Sequence, residues 1–502
     1  MGQGVILLRK AIPIFYNALL LTGVNLLLRF AGTSFQVFIS SQIGAEGVGL
    51  LQLVLSVGSM ATIFGMAGIR TSSMYLTAEE LGRKKPGNIR WILSACFTYS
   101  ILISAAVCLL LWILAPTLAQ HWIGDHRTVA ALRTLAVFIP VSCLCGVMTG
   151  FFTGANRIGT LALVEIAEQA CSMVLTTTLL ITWTGGDSVR ACQAVILGSG
   201  IGACLTLSVL MVLRKLEQHS PGPRIPVRSR LLQVAVPLAM ADDLKTGINT
   251  VENLMVPKRL ALFSGSVSPL AAFGTVCGMV FPVLMFPAAI LYALAELLIP
   301  ELARCAAAGS ENRIRYLTRR SLRIAMLYGC LFCGLIFLSA QPLCQRLYRN
   351  ALAGYWLKRY AVLIPMLYCD AITDAMTKGL GQQKACVRYN ILTSFMDVVL
   401  LYLLLPRYGM EGYFFSFTVT HGINFGLSLR RLFIITHKKP RFKAPILTLF
   451  AAVIATSLSS LAFGSLFSCA VYPVVLVCLL TLFKVIGKED FLWLKSLVVP
   501  MR

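Results

Sequence analysis

The chain has 502 residues, 57% of them hydrophobic and only 13% charged, where a soluble domain carries about 25% charged residues. That composition excludes a soluble globular protein and leaves an all-α integral membrane protein with many spans. A formal net charge of +24 does not imply a nucleic-acid partner, because the basic residues gather in loops between apolar runs.

Apolar runs of about 18 to 30 residues give about fourteen expected spans. They fall at 11–42, 46–76, 91–115, 129–152, 161–183, 190–213, 231–259, 266–299, 321–340, 357–376, 386–405, 411–432, 444–464 and 467–486. The run after Arg9 and Lys10 has the length of a span and no small-residue cleavage site follows it, so the first helix is expected to stay attached.

The first span carries Asn25, Arg29 and Gln36 at helical spacing. Arg29 sits too deep in the run for easy snorkelling, so it reads either as the partner of a neighbouring acid or as an anion contact in a cavity. A guanidinium suits phosphate because its planar fork donates two parallel hydrogen bonds. In the second span Arg70 follows Gly65-Met66-Ala67-Gly68, where glycine can break or bend the helix. It is a second candidate anion ligand, or a helix cap.

Span five contributes two buried acids, Glu165 and Glu168. Gly198, Gly200 and Gly202 in span six follow no strand and therefore point to close helix packing rather than a nucleotide loop. The linker from Arg214 to Arg230 contains Pro-Gly-Pro, which favours an extended connector.

Span seven is the most unusual stretch. Asp242, Lys245, Asn249 and Glu252 fall on one stripe of its helix, with Asp243 and Asn253 beside them. Each charge costs about 2.5–3.5 kcal/mol at the centre of a span, so such groups face a cavity or a partner. Lys245 is either a substrate contact or is neutralised by Asp242 one turn away. Lys258 and Arg259, near the end of the span, are expected to snorkel to headgroups.

Further along lie Glu296 in span eight, Asp370 and Asp374 in span ten, and Asp397 in span eleven. Asp370, Asp374 and Lys378 share one face, as an ion-pair ladder or a cation-coupling site would require. Cys330 and Cys333 form a CxxC inside a span, which reads as two small packing residues, and no metal or redox site is assigned.

Alternate loops are basic, and roughly 31 of the 44 Lys and Arg residues lie on one side, which the positive-inside rule makes cytoplasmic. Both termini are then cytoplasmic. The chain also repeats itself: Gly23-Val24-Asn25 recurs as Gly247-Ile248-Asn249, Glu80-Leu81 as Glu301-Leu302, the block ending in Pro140 as the block ending in Pro365, and Gly154 as Gly379. The offsets, 221 to 225 residues, indicate duplication. Six spans per repeat is an even number, so two parallel six-helix lobes are expected, related by a pseudo-twofold along the membrane normal. The expected organisation is an N-terminal lobe at 1–215, a linker at 216–230, a C-terminal lobe at 231–435, and two further helices with a tail at 436–502. The acidic stripe of span seven would then face the Arg29 stripe of span one across the lobe boundary.

Motifs for ATP binding, zinc proteolysis and acyl transfer are absent, so no catalytic residue is assigned. The stretches LLLRFAGTSFQVFISSQIGAEGVGLLQL, INTVENLMVPKRL and FPVLMFPAAILYALAELLIPELAR resemble the multidrug/oligosaccharidyl-lipid/polysaccharide exporter superfamily, in its stage V sporulation protein B and polysaccharide flippase branch. The resemblance covers about Val5 to Leu432 and implies a flippase for a lipid-linked oligosaccharide such as lipid II in a bacterial plasma membrane. It implies alternating access by a monomer without a cofactor, driven by H+ or Na+ or by the membrane potential, near cell-wall or spore-envelope synthesis proteins. In related flippases a cationic cavity holds the pyrophosphate; Arg29 matches their first-span arginine, while Phe35 and Gln36 stand where they carry an Arg-Asp pair.

The expected substrate contacts are therefore Arg29, Arg70, Lys245, Asn25, Asn249 and Gln36. Asp242, Asp243, Glu252, Asp370 and Asp374 are expected to couple an ion or to pair charges. The rival within the superfamily is a cation-coupled multidrug exporter using the acids. From other classes, a membrane glycosyltransferase or polymerase would need a large loop or a membrane-face carboxylate, and a non-transport scaffold is the remaining reading.

Overall fold

The computed structural model describes residues 2–83, 86–185, 187–216, 227–263, 268–436, 443–462 and 465–485, and these are helical apart from short turns. Most of the expected linker and the tail after 485 lie outside the described residues. In chain order the helices are α1 (Gly2–Met66), α2 (Ile69–Gly82), α3 (Ile89–Thr117), α4 (Val129–Gly154), α5 (Ile158–Thr182), α6 (Ser188–Leu216), α7 (Val227–Leu260) and α8 (Pro269–Gly274). They continue as α9 (Phe281–Met285), α10 (Ala288–Ala307), α11 (Glu311–Tyr348), α12 (Ala351–Ala361), α13 (Ile364–Gly379), α14 (Gln383–Ile435), α15 (Lys443–Ala462) and α16 (Ser465–Leu482).

Eight helices among the described residues are long and apolar enough to cross a bilayer, or nine if the bent pair Pro269–Met285 and Ala288–Ala306 is one span. Two of the eight, Leu26–Leu81 and Gln383–Ile435, each run through two expected spans, the first taking in only the later part of 11–42. They bend at glycine: Gly44 has φ 71° and ψ 175°, and Gly409 has φ 57° and ψ −138°, regions closed to residues with a Cβ. The break expected near Gly65 to Gly68 falls at Ala67 (φ 41°) and Gly68 (φ 71°), so Arg70 opens α2. α7 fails the apolar criterion because of the same charges that single it out, and α12 with α13 divides the tenth expected span into two short pieces.

The chain forms two compact units, one of residues 1–278 with 397–413 and the other of 279–396 with 414–502. The packing boundary thus falls inside the eighth expected span, and α7 packs with the N-terminal helices. In the first unit Ile69, Leu76, Ile92, Cys96, Val147, Phe151 and Phe152 form a buried core to which α7 adds Leu231 and Ala235. Arg230 donates to Glu80 Oε1 at 3.0 Å and to Glu79 Oε2 at 2.6 Å, and Asn88 Nδ2 donates to Glu80 Oε2 at 2.8 Å. Glu80 is only 2% exposed, so its charge depends on those donors. Arg230→Ala is expected to cost about 2 kcal/mol in detergent unfolding, with partial recovery in Arg230→Lys; an unchanged unfolding midpoint would show that the pair contributes nothing.

The glycines of span six behave as expected of a packing face. A Cβ on Gly198 would lie 2.0 Å from Thr176 Oγ1, and one on Gly200 would lie 2.4 Å from the Phe138 ring. In the second unit the chain bends by 63° before α10. Tyr328 and Tyr368 donate their hydroxyls to Pro287 O at 2.8 Å and Leu284 O at 3.0 Å. α15 and α16 pack on α11, where Gly334 makes room for the Tyr472 ring and Tyr472 donates to Cys330 O at 2.8 Å.

The duplication is visible in contacts inside each unit. A Cβ on Gly154 would meet Met74 O at 2.5 Å and Thr77 Cβ at 3.0 Å; one on Gly379 would meet Ile299 O at 2.8 Å and Leu302 Cβ at 3.1 Å. Gly379, Ile299 and Leu302 each lie 225 residues after Gly154, Met74 and Thr77, and α10 ends 225 residues after α2. This register corrects the match of Glu80 with Glu301: Glu80 corresponds to Cys305, and Glu301 to Leu76. A slide of four residues nearly preserves a helix face, which is why a weak sequence match tolerates it. Glu301 still has cationic partners of its own, Arg313 at 2.6 Å and Arg304 at 3.5 Å.

Candidate functional site

Two contacts fix the register of α7 in the first unit. Its start meets the end of α2 through Arg230, Glu79 and Glu80, and further along Thr250 Oγ1 donates to Ser56 O at 3.2 Å while Asn253 Nδ2 donates to Ser56 Oγ at 3.0 Å. α7 therefore runs antiparallel to the chain from Ser56 to Glu80. At 1.5 Å per residue, Arg70 on α2 and Lys245 on α7 come level to within roughly 10 Å along the axis. These hydrogen bonds join α7 to α1 beyond the Gly44 kink, at Ser56.

Arg29, Arg70, Lys245 and Asn249 are exposed on their helices, and Gln36 is half-buried. The side chains of Asn25 and Asp242 lie outside the described residues. Arg70 and Lys245 make no hydrogen bond or ion pair with a described residue, although the charge of Arg70 reaches Glu165 on α5. Glu168, one turn on, bonds to Thr206 of α6. Asp243 lies within electrostatic reach of Tyr99, whose hydroxyl donates to Ala67 O at 3.2 Å, at the break between α1 and α2.

Glu252 on α7 has a partner on another helix. It is half-buried and shares a side-chain hydrogen bond with Asp397 of α14, which is 8% exposed. Two carboxyl groups can hydrogen-bond only with a proton between them. Cys277 lies near Glu252, and its Sγ is 3.6 Å from the Tyr413 hydroxyl. This pairing was not legible in the sequence; the signal for it was an acidic residue inside span eleven.

In the second unit Asp370 accepts from Asn424 Nδ2 at 3.2 Å. Lys378 pairs with Asp374 at 2.6 Å. The one-face spacing thus joins Asp374 to Lys378, while Asp370 turns to α14. Among the described residues no group of three or more His, Cys, Asp or Glu is arranged to hold a metal.

Comparison with known proteins bears out the resemblance. Residues 14–241 match the model of the polysaccharide biosynthesis protein family. The chain is 22% identical over 401 residues to stage V sporulation protein B of Bacillus subtilis (strain 168), covering 78% of this chain and 77% of that protein. Among solved structures, the lipid II flippase MurJ in an inward closed conformation aligns with a TM-score of 0.72 at 14% identity, over 93% of this chain and 98% of that one. An inward-facing multidrug resistance MATE family transporter of the MOP superfamily aligns with a TM-score of 0.66 at 13% identity, over 84% and 100%. The chain is thus a multi-pass membrane protein with the two-lobe fold of that superfamily.

Proposed function

We propose that this protein is a flippase that turns a lipid-linked oligosaccharide, of the undecaprenyl-pyrophosphate class that includes lipid II, across a bacterial plasma membrane by alternating access. The observation that carries the proposal is the exposure of Arg29, Arg70 and Lys245 on membrane-embedded helices. A cation facing lipid at that depth is penalised by about 2.5–3.5 kcal/mol or more, so each of the three is read as facing a wet cavity suited to an anionic headgroup. Asn249 and Gln36 supply neutral hydrogen-bonding groups for a sugar. The prenyl chain remains in the bilayer, and no covalent step is needed. Both termini are cytoplasmic in this reading, and the protein acts as a monomer beside cell-wall or spore-envelope synthesis enzymes.

The reading is tested in proteoliposomes with a fluorescent polyprenyl-pyrophosphate sugar against a cationic dye. Movement of the lipid and retention of the dye are expected; export of the dye with no lipid movement would establish the rival exporter.

The Glu252 and Asp397 pair is the proposed coupling site, because a shared proton can be exchanged for H+ or Na+ from solution. Glu252→Gln should leave the lipid rate unresponsive to an imposed pH or sodium gradient, by about tenfold relative to the parent's gradient response. A Glu252→Gln protein with the parent's full gradient response would remove the pair from this role.

A further inference from the structure

Arg259 closes α7, where a long cation is expected to reach outward to headgroups. Its guanidinium instead folds onto α14. Nη2 and Nε donate to the backbone carbonyl of Tyr402 at 2.8 and 3.2 Å, and Cζ sits 3.6 Å from the centroid of the Tyr402 ring. A carbonyl inside an α-helix ordinarily accepts from the amide four residues further on. Four residues after Tyr402 stands Pro406, which lies inside α14 and has no N–H to give. The Tyr402 carbonyl is therefore open because of the sequence of α14 itself, and a side chain from a distant helix fills it.

A second contact holds the same end of α7 to the same stretch. Gly409 kinks α14 one turn beyond Pro406, and the Phe263 ring, just past α7, lies 2.9 Å from where a Gly409 Cβ would be. The stretch 397–413 packs in the first unit with α7.

We propose that Arg259 is a positioning residue: it takes the place of the amide that Pro406 lacks and so holds α7 in one register against the stretch 397–413. The consequence for transport rests on the flippase reading, since α7 carries Lys245 and Glu252. Lysine is a poor substitute, because a point donor cannot give two N–H groups to one carbonyl while laying a planar cation on the ring.

This assignment makes a demand that general helix packing does not. If Pro406 becomes alanine, the new amide can bond Tyr402 O within α14, and Arg259 becomes dispensable. The test is a cycle of Arg259→Ala, Pro406→Ala and the double variant in the full-length protein, read by thermal unfolding in detergent and by the initial flipping rate of a fluorescent polyprenyl-pyrophosphate sugar. Arg259→Ala should lower the unfolding midpoint and slow flipping about tenfold, the loss of a charge-assisted bond, while Pro406→Ala stays within about twofold and the double variant returns to within about threefold of the parent. A double variant as impaired as Arg259→Ala overturns the proposal, and so does an Arg259→Ala protein that behaves like the parent. Should Arg259→Ala fail to fold, recovery of folded double variant supports the assignment and its failure to recover refutes it. A parent protein that moves no lipid defeats the flippase reading alone, and the unfolding cycle then decides the role of Arg259.

Discussion

Alanine at Arg29, Arg70 or Lys245 should lower the initial flipping rate of a polyprenyl-pyrophosphate sugar by about ten- to a hundredfold each, at normal protein abundance. A hydrogen bond to a charged group contributes about 1.5–3 kcal/mol, and each 1.4 kcal/mol is a factor of ten. Arg70 allows the sharpest form of the test because its charge also reaches Glu165. If Arg70 served chiefly to neutralise Glu165, Arg70→Ala would strand a half-buried carboxylate and deplete the protein, and adding Glu165→Gln would restore both abundance and rate. If Arg70 binds the pyrophosphate, adding Glu165→Gln leaves the rate low. Arg70→Lys should fall between, keeping the charge and losing the fork. Undiminished rates in all three alanine variants would defeat the assignment of the site.

Gly274→Ala is expected to have the largest effect on folding. In the first unit α8 crosses α1 with almost no space between backbones: a Cβ on Gly274 would lie 2.0 Å from Ala45 O and 2.5 Å from Gly49 N, and one on Gly49 would lie 2.2 Å from Leu270 O. The obstructing atoms are backbone, so no rotamer change relieves the overlap, and small residues facing each other are what let membrane helices approach this closely. Overpacking costs 1–3 kcal/mol where side chains can yield, and about that or more is expected here. Two other glycines separate space from conformation. Gly44 has nothing within 4 Å of its Cβ position but has φ 71°, so Gly44→Ala should cost about 1–3 kcal/mol through strain alone. Gly23 has neither obstruction nor positive φ, so Gly23→Ala should be neutral or slightly stabilising. Equal yields of monodisperse protein from the Gly274 and Gly23 variants would show that α1 and α8 do not pack this closely.

Much of the architecture was legible because the bilayer imposes simple rules on sequence. The apolar runs located the helices, and glycine marked the break at Ala67 and Gly68, whereas the kink at Gly409 and the bend before α10 came from the structure. The stripe of α7 announced itself through the cost of burying charge. The repeat was also readable, but only to within a turn, since helical periodicity makes a four-residue slide nearly invisible until the contacts of Gly154 and Gly379 set the register. What the sequence determined by itself, then, was the membrane class, the helical segments and which residues are out of place in them. Their partners were decided by tertiary structure alone: Glu252 with Asp397, Asp370 with Asn424, and Arg259 with a carbonyl 143 residues away. Periodicity reports the face on which a side chain lies and carries no information about which distant helix covers that face. An orphaned carbonyl leaves even less trace, because its only mark in the sequence is a proline four residues further on.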